Sequence, residues 1–211
     1  MDYSISQIDD SGLMNVTLSA DWLRFGMGAH NIEANRILYH TLQQGLILSK
    51  ALNDSSTTEL YAGVTETLKR SANAVLWNET AGFYNDNETS SLHPQDGNPW
   101  AVVANLTDSP EKVARTSANL QTRWGPYGAP APEAGTAVSP FISGFELQTH
   151  FAAEDATRAL ELMRLQSGYM LNGLHMTNST FIEGYEFSGV LHYAPYPNDV
   201  RISHAHGWST G

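Results

Sequence analysis

The sequence predicts an all-α fold, and three observations carry that expectation. Apolar residues recur every three or four positions along several separate stretches. Ser-Pro pairs stand where two of those stretches begin, Ser109-Pro110 and Ser139-Pro140. The connections alternate between short turns and long loops rich in aromatic residues. With 211 residues, 41% of them hydrophobic, the chain can bury a domain-sized core. No Gly/Ser-rich linker and no short repeat divides it, so residues 1–211 read as one domain or part of one.

In chain order, the first helix is expected over 30–53, where Ala34, Leu38, Leu42 and Leu46 repeat every fourth residue until "NDSS" stops the pattern. The second runs over 57–77, starts at Thr58 and carries Leu60, Val64, Leu68, Ala72 and Val75 on one stripe. A shorter helical stretch, "GNPWAVVANL", follows. Ser109 then caps a helix with Pro110 at its first position and Glu111 in its first turn. Ser139 and Pro140 repeat that opening for a helix that buries Phe141 and Phe145. The last helix places Ala156, Ala159, Leu160 and Met163 on its stripe. Strand-like pieces are brief, near Tyr84 and Phe181. Helices in this order pair as hairpins.

Charge and composition exclude several classes of partner. Twenty-two acidic against 11 basic residues give a net charge of −11, the wrong sign for a nucleic-acid backbone or an anionic membrane. No apolar run reaches the length of a membrane span, and "MDYSISQIDD" lacks the basic and apolar regions of a secretion signal. The absence of cysteine removes disulfides and thiolate chemistry. Glycosylation sequons nevertheless stand at Asn15, Asn53, Asn78, Asn87, Asn105 and Asn178, which points to a secreted parent protein of which this chain is a fragment.

Loops longer than a dozen residues in a compact helical domain are usually functional. In an up-and-down arrangement the long loops emerge at one end and bring Asp21, Trp22, Trp100, Trp124, Glu133, Glu183, His204, His206 and Trp208 together. Indole faces beside carboxylates suit a sugar: the apolar face of a pyranose stacks on the ring while acids transfer protons and hold hydroxyls. The same aromatic residues could instead plug helix ends. His204 and His206, two residues apart, could begin a metal site with His192 or Asp199 as a third ligand, but no spacing fixes one, and neither a metal nor a cofactor is expected. Gly26-x-Gly28 lacks the lysine of a phosphate loop, and no nucleophile elbow is present.

The stretches "SADWL", "NAVLWNETAGFYNDN", "HPQDGN", "RWGPYGAPAPEAG", "SPFISGFELQTHF", "ALELMRLQSGYML", "STFIEGY" and "ISHAHGWSTG" together resemble the fungal-type α-L-rhamnosidases, members of the six-hairpin glycosidases, from about Asp21 to Gly211. The resemblance implies part of an (α/α)6 barrel of about twelve helices, open at the end that holds the site. It also implies inverting hydrolysis of terminal α-L-rhamnose from glycosides or oligosaccharides. Trp22 matches the family's sugar-stacking tryptophan beside Asp21. Glu183 matches the general base, although Ile182 replaces the family's tryptophan before it and Glu186 could exchange roles with it. His206, with His204 second, matches a sugar-contacting histidine, and Trp124 and Trp208 fit the aromatic rim.

The family's acidic Asp-Glu-Arg segment, with its general acid, has no counterpart in the residues before Asp21, and its following β-sandwich has none after Gly211. The resemblance therefore implies the C-terminal half of a barrel, cut at both ends. Such a half would leave Leu38, Leu42, Val64, Leu68, Phe141 and Phe145 bare, and alone it would turn over little. The alternative function is a non-catalytic carbohydrate binder.

Overall fold

A computed structural model describes residues 1–19, 24–194, 196 and 202–210. Seven helices occur among the described residues: α1 (Asp2–Ser6), α2 (Ile32–Ala51), α3 (Ser55–Val75), α4 (Gly97–Val103), α5 (Pro110–Gln121), α6 (Pro140–Ala152) and α7 (Ala156–Asn172). Only α1 was unforeseen. The other six form three hairpins, α2/α3, α4/α5 and α6/α7. Helices α2, α4 and α6 touch in a row, and α3, α5 and α7 cover that row as a second layer. The arrangement is mostly helical and consistent with part of an (α/α)6 barrel.

Side-chain caps set most of the helix starts. Asn31 accepts the Ala34 amide at 3.1 Å at the head of α2, and Ser109 accepts the Lys112 amide at 3.3 Å ahead of Pro110. Helix α3 begins three residues before the expected Thr58. The Asp54 carboxylate accepts the Thr57 amide at 3.0 Å and the Ser56 and Thr57 hydroxyls, so "NDSS" both ends one helix and caps the next. Ser139 precedes α6 without a side-chain cap, and Pro140 alone presets the first turn.

Burial corrects several of the stripes. Leu38, Leu42, Leu68 and Ala72 are buried between α2, α3 and α4, so Leu38, Leu42 and Leu68 are not bare. The apolar residues that α2 exposes lie on the opposite stripe, with Ile37 at 42%, Ile47 at 61% and Leu48 at 63%. On α3, Leu60 and Val75 face solvent. Helix α7 buries Ala159, Leu162, Gln166 and Met170, leaving Leu160 and Met163 outside. Helix α6 buries Ile142, Ser143, Glu146, Thr149 and His150, while Phe141 and Phe145 are only half-buried. Polar side chains with partners inside the fold took positions that hydrophobicity alone assigns to Leu and Phe.

Four two-residue strands occur among the described residues. β1 (Trp77–Asn78) pairs antiparallel with β2 (Phe83–Tyr84), and β3 (Ala137–Val138) pairs antiparallel with β4 (Tyr185–Glu186). The second pair joins the loop before α6 to the loop after α7. Around it lies a core built largely from loops: Ala131, Ala134, Ala137, Val138, Ile182, Tyr185, Tyr193 and Ile202 pack on Ile142 and Met170. The long loops are thus a packed wall rather than loose connections, and they meet at one end of the hairpins, as alternating loop lengths implied. The short turns lie at the other end.

Candidate functional site

The floor of the long-loop end is a buried ion network at the starts of α2, α4 and α6. Arg24, from the loop before α2, donates to Asp86 at 2.5 Å and to Asp96 at 3.1 Å, and its Nε donates to the Gly26 carbonyl at 2.7 Å. Asp86 and Asp96 both come from the loop before α4. Glu133, in a short 3-10 turn (Pro132–Ala134) before α6, accepts the amides of Gln95 and Asp96 at 2.8 Å each. The Glu133 carbonyl in turn accepts the Phe25 amide at 3.1 Å. Three loops are therefore tied together through charged groups sealed from water.

Burial governs the proton affinities of this floor. It pushes the Asp96 carboxyl up to about 6, with Arg24 pulling down and Asp86 pushing further up. Burial, then Asp96, holds Glu133 well above the usual carboxylate range although two amides donate to it. Burial works against the charge on Arg24, but Asp96, Asp86 and Glu133 outweigh it and the guanidinium binds its proton more tightly than usual. Arg36 is buried beside Glu33, and its guanidinium lies over the Trp100 ring. Two guanidiniums lie among four carboxyl groups here, and burial lowers the proton affinity of Arg36 while it raises that of Glu133.

Glu183 lies in the fourth loop, after α7. Ile182 is buried in the loop core, and Glu183 follows it at a bend, its amide donating to the Ser203 carbonyl at 2.9 Å. Both carboxylate oxygens are held: Tyr196 donates its hydroxyl to Oε1 at 3.0 Å, and the Ser203 amide donates to Oε2 at 3.0 Å. Burial and the neighbouring Glu183 push the Tyr196 hydroxyl up to about 12, so it remains a donor. Tyr193 lies beside Ser139, with burial raising its proton affinity and both Glu183 and Glu133 acting on it. The Tyr193 ring fills the space beside Gly184, 2.4 Å from where a Cβ would stand.

The remaining expected residues divide. His206 is half-buried, its amide donates to the Phe181 carbonyl at 2.9 Å, and its Nδ1 lies 3.2 Å from the Ser209 hydroxyl. His204 is exposed, and its carbonyl accepts the Thr180 hydroxyl. Trp208 is 69% exposed, with one edge against Phe141. Trp124 is half-buried, its indole N–H committed to Glu146 at 2.6 Å and its ring against His150. Glu186 contacts His192 at 2.6 Å and Thr136, away from the Glu183 donors. Asp21, Trp22 and Asp199 lie outside the described residues. Among the described residues no group of three His, Asp or Glu side chains could hold a metal.

Reading the sequence missed Arg24, Asp86, Asp96, Tyr193 and Tyr196. One signal was available: "PQDG" sets Gln95 and Asp96 directly before a helix start, and both prove fully buried. Nothing in "YAPYP" distinguishes Tyr196 from a rim aromatic.

A Trehalase family model matches residues 29–128. No curated protein matches the chain. Among solved structures, a rhamnosidase from Klebsiella oxytoca with rhamnose bound superposes with a TM-score of 0.75 at 20% identity, over 99% of this chain and 38% of that one. A GH78 family rhamnosidase of a Bacillus species matches with a TM-score of 0.73 at 24% identity, over 99% of this chain and 21% of its own. The neutral trehalase of Saccharomyces cerevisiae matches with a TM-score of 0.68 at 15% identity, over 87% of this chain and 37% of its own. The chain thus spans well under half the length of each. Its three helical hairpins, with their long loops gathered at one end, superpose on part of each of these folds.

Proposed function

We propose that this chain forms the general-base side of a rhamnosidase site of the fungal type, acting within a larger (α/α)6 barrel on terminal α-L-rhamnose. One observation carries the proposal: the Glu183 carboxylate is held by Tyr196 and Ser203 where the long loops meet. In an inverting reaction Glu183 takes a proton from water as the water oxygen bonds to the anomeric carbon. The glycosidic C–O bond breaks on the opposite face, and the leaving oxygen takes a proton from a second carboxyl group about 6.5–9.5 Å away. Trp22, beside Asp21 in the sequence, and His206, with His204 second, hold the sugar, and Trp124 and Trp208 form the aromatic rim. The rhamnose seen in a structure of the same fold supports this substrate class. The sequons support a secreted location.

A second reading, trehalose as substrate, is favoured by the Trehalase match. The two separate in one titration. Tryptophan fluorescence of the protein is followed with L-rhamnose, D-glucose and trehalose, alongside release of nitrophenol from an α-L-rhamnoside. Rhamnose alone should bind, and Glu183→Gln should keep that binding while losing roughly two to four orders of magnitude in any turnover. Binding of trehalose without rhamnose overturns the rhamnosidase reading. Rhamnose binding without turnover in wild type leaves the carbohydrate-binding alternative standing.

A further inference from the structure

The six sequons are not equivalent once folded. Those at Asn15, Asn78, Asn87 and Asn178 lie in or beside the long loops of the site end. Asn53 and Asn105 lie at the other end, in the turns joining α2 to α3 and α4 to α5. Both are exposed, and both adopt a left-handed backbone, φ 56° and 58°. Glu154 has φ 59° in the third such turn, while Asn178, at the site end, has φ 58° as well.

Other asparagine amides are already committed. The Asn78 Nδ2 donates to Asn85 at 3.5 Å while its Oδ1 accepts the Ala81 amide at 3.0 Å. Asn87 donates to the Gly28 carbonyl at 3.3 Å and accepts from Thr89. Asn178 donates to the Gly173 and Leu171 carbonyls at 2.9 and 3.3 Å, closing the end of α7. Asn15 is exposed, but it sits between Met14 and Val16, each of which bridges to another loop residue.

A second feature marks the turn end. Leu52, directly before Asn53, is 78% exposed, and Leu48 one turn earlier is 63% exposed. Val103 is exposed two residues before Asn105. Apolar side chains so close to an acceptor asparagine are positions that a bulky, hydrated glycan would shield.

We infer that Asn53 and Asn105 are N-glycan acceptors, decorating the end opposite the site and leaving its mouth open. The transfer is from a lipid-linked pyrophosphate oligosaccharide. An Nδ2–C1 bond forms, the C1–O bond to pyrophosphate breaks, and one amide proton leaves with the lipid pyrophosphate. This inference rests on the secretory route and not on the identity of the sugar substrate.

The test is expression of the whole chain behind a secretion leader in yeast, enzymatic deglycosylation in heavy-oxygen water, and peptide mapping. Labelled aspartate is expected at positions 53 and 105, with little at 78 and 87. Unlabelled asparagine at both 53 and 105, or labelling at 78 and 87 as complete as at the turns, overturns the inference. If secretion fails, translation into microsomes tests the same two acceptors. There Asn53→Gln and Asn105→Gln should each remove one glycan's gel shift, and the double variant should remove both. A wild-type pattern in the double variant overturns the inference equally. Sugar specificity is measured separately, so failure here leaves the proposed reaction untouched.

Discussion

Replacing Arg24 by methionine isolates the electrostatics of the site floor. Arg24 is buried and donates to Asp86, Asp96 and the Gly26 carbonyl, with Glu33 3.8 Å away. Methionine keeps much of the volume but removes the charge and three donated bonds. Breaking a buried ion pair by removing one partner costs about 3–5 kcal/mol, because the remaining charge stays buried. For a chain of this size, 1 kcal/mol corresponds to roughly 2–4 °C in Tm, so a fall of about 6–20 °C is expected at pH 7.

The loss should depend on pH, with a sign that follows from Asp96. Its carboxyl is raised from 3.8 to about 6 in the folded protein. A carboxyl raised on folding contributes stability that is complete below its unfolded value and lost as pH rises through its folded value. Arg24 pulls that folded value down, so its removal raises it further and steepens the loss between pH 5 and 7. Urea denaturation of wild type and Arg24→Met at pH 5 and pH 7 measures both effects. The deficit should be smaller at pH 5 by at least about 1 kcal/mol. A deficit under about 1 kcal/mol at pH 7, or one equal at the two pH values, would refute the account of Arg24 as the counter-charge of this floor.

Tyr196→Phe removes one donor from Glu183; if Glu183 is the base, kcat should fall about tenfold with KM little changed, the scale of one bond to a charged group. Rhamnoside kinetics alongside thermal melting check this, since a merely structural role would move Tm and leave kcat alone. Gly184→Ala places a methyl group against the Tyr193 ring and should destabilise by about 1–3 kcal/mol, measured by urea unfolding. Asp155→Ala removes the cap that accepts the Arg158 amide at 2.9 Å and should cost about 1 kcal/mol of stability by the same assay.

The sequence by itself determined the helical class, the six helices after α1 and their pairing into hairpins. These rest on local chemistry: Ser109-Pro110 opens a helix wherever it stands, and a 3.6-residue repeat forms an amphipathic helix whatever it meets. It also located the loops that gather at one end, because short and long connections must alternate when helices run up and down. Which face of each helix turns inward was legible only in part. Leu38 and Leu42 pointed correctly to the core of α2, whereas Leu160 and Met163 did not for α7, which buries Gln166 and Leu162 instead. Of the site floor, only Glu133 was placed at the loop end by the sequence. Arg24, Asp86, Asp96 and Glu133 are spread over more than a hundred positions, and any one of them alone reads as a solvated loop charge. Only the tertiary structure brings them into contact, and only burial converts them into a coupled set with displaced proton affinities. Tyr196 follows the same rule: its hydroxyl on Glu183 is a product of packing, and no local pattern encodes it.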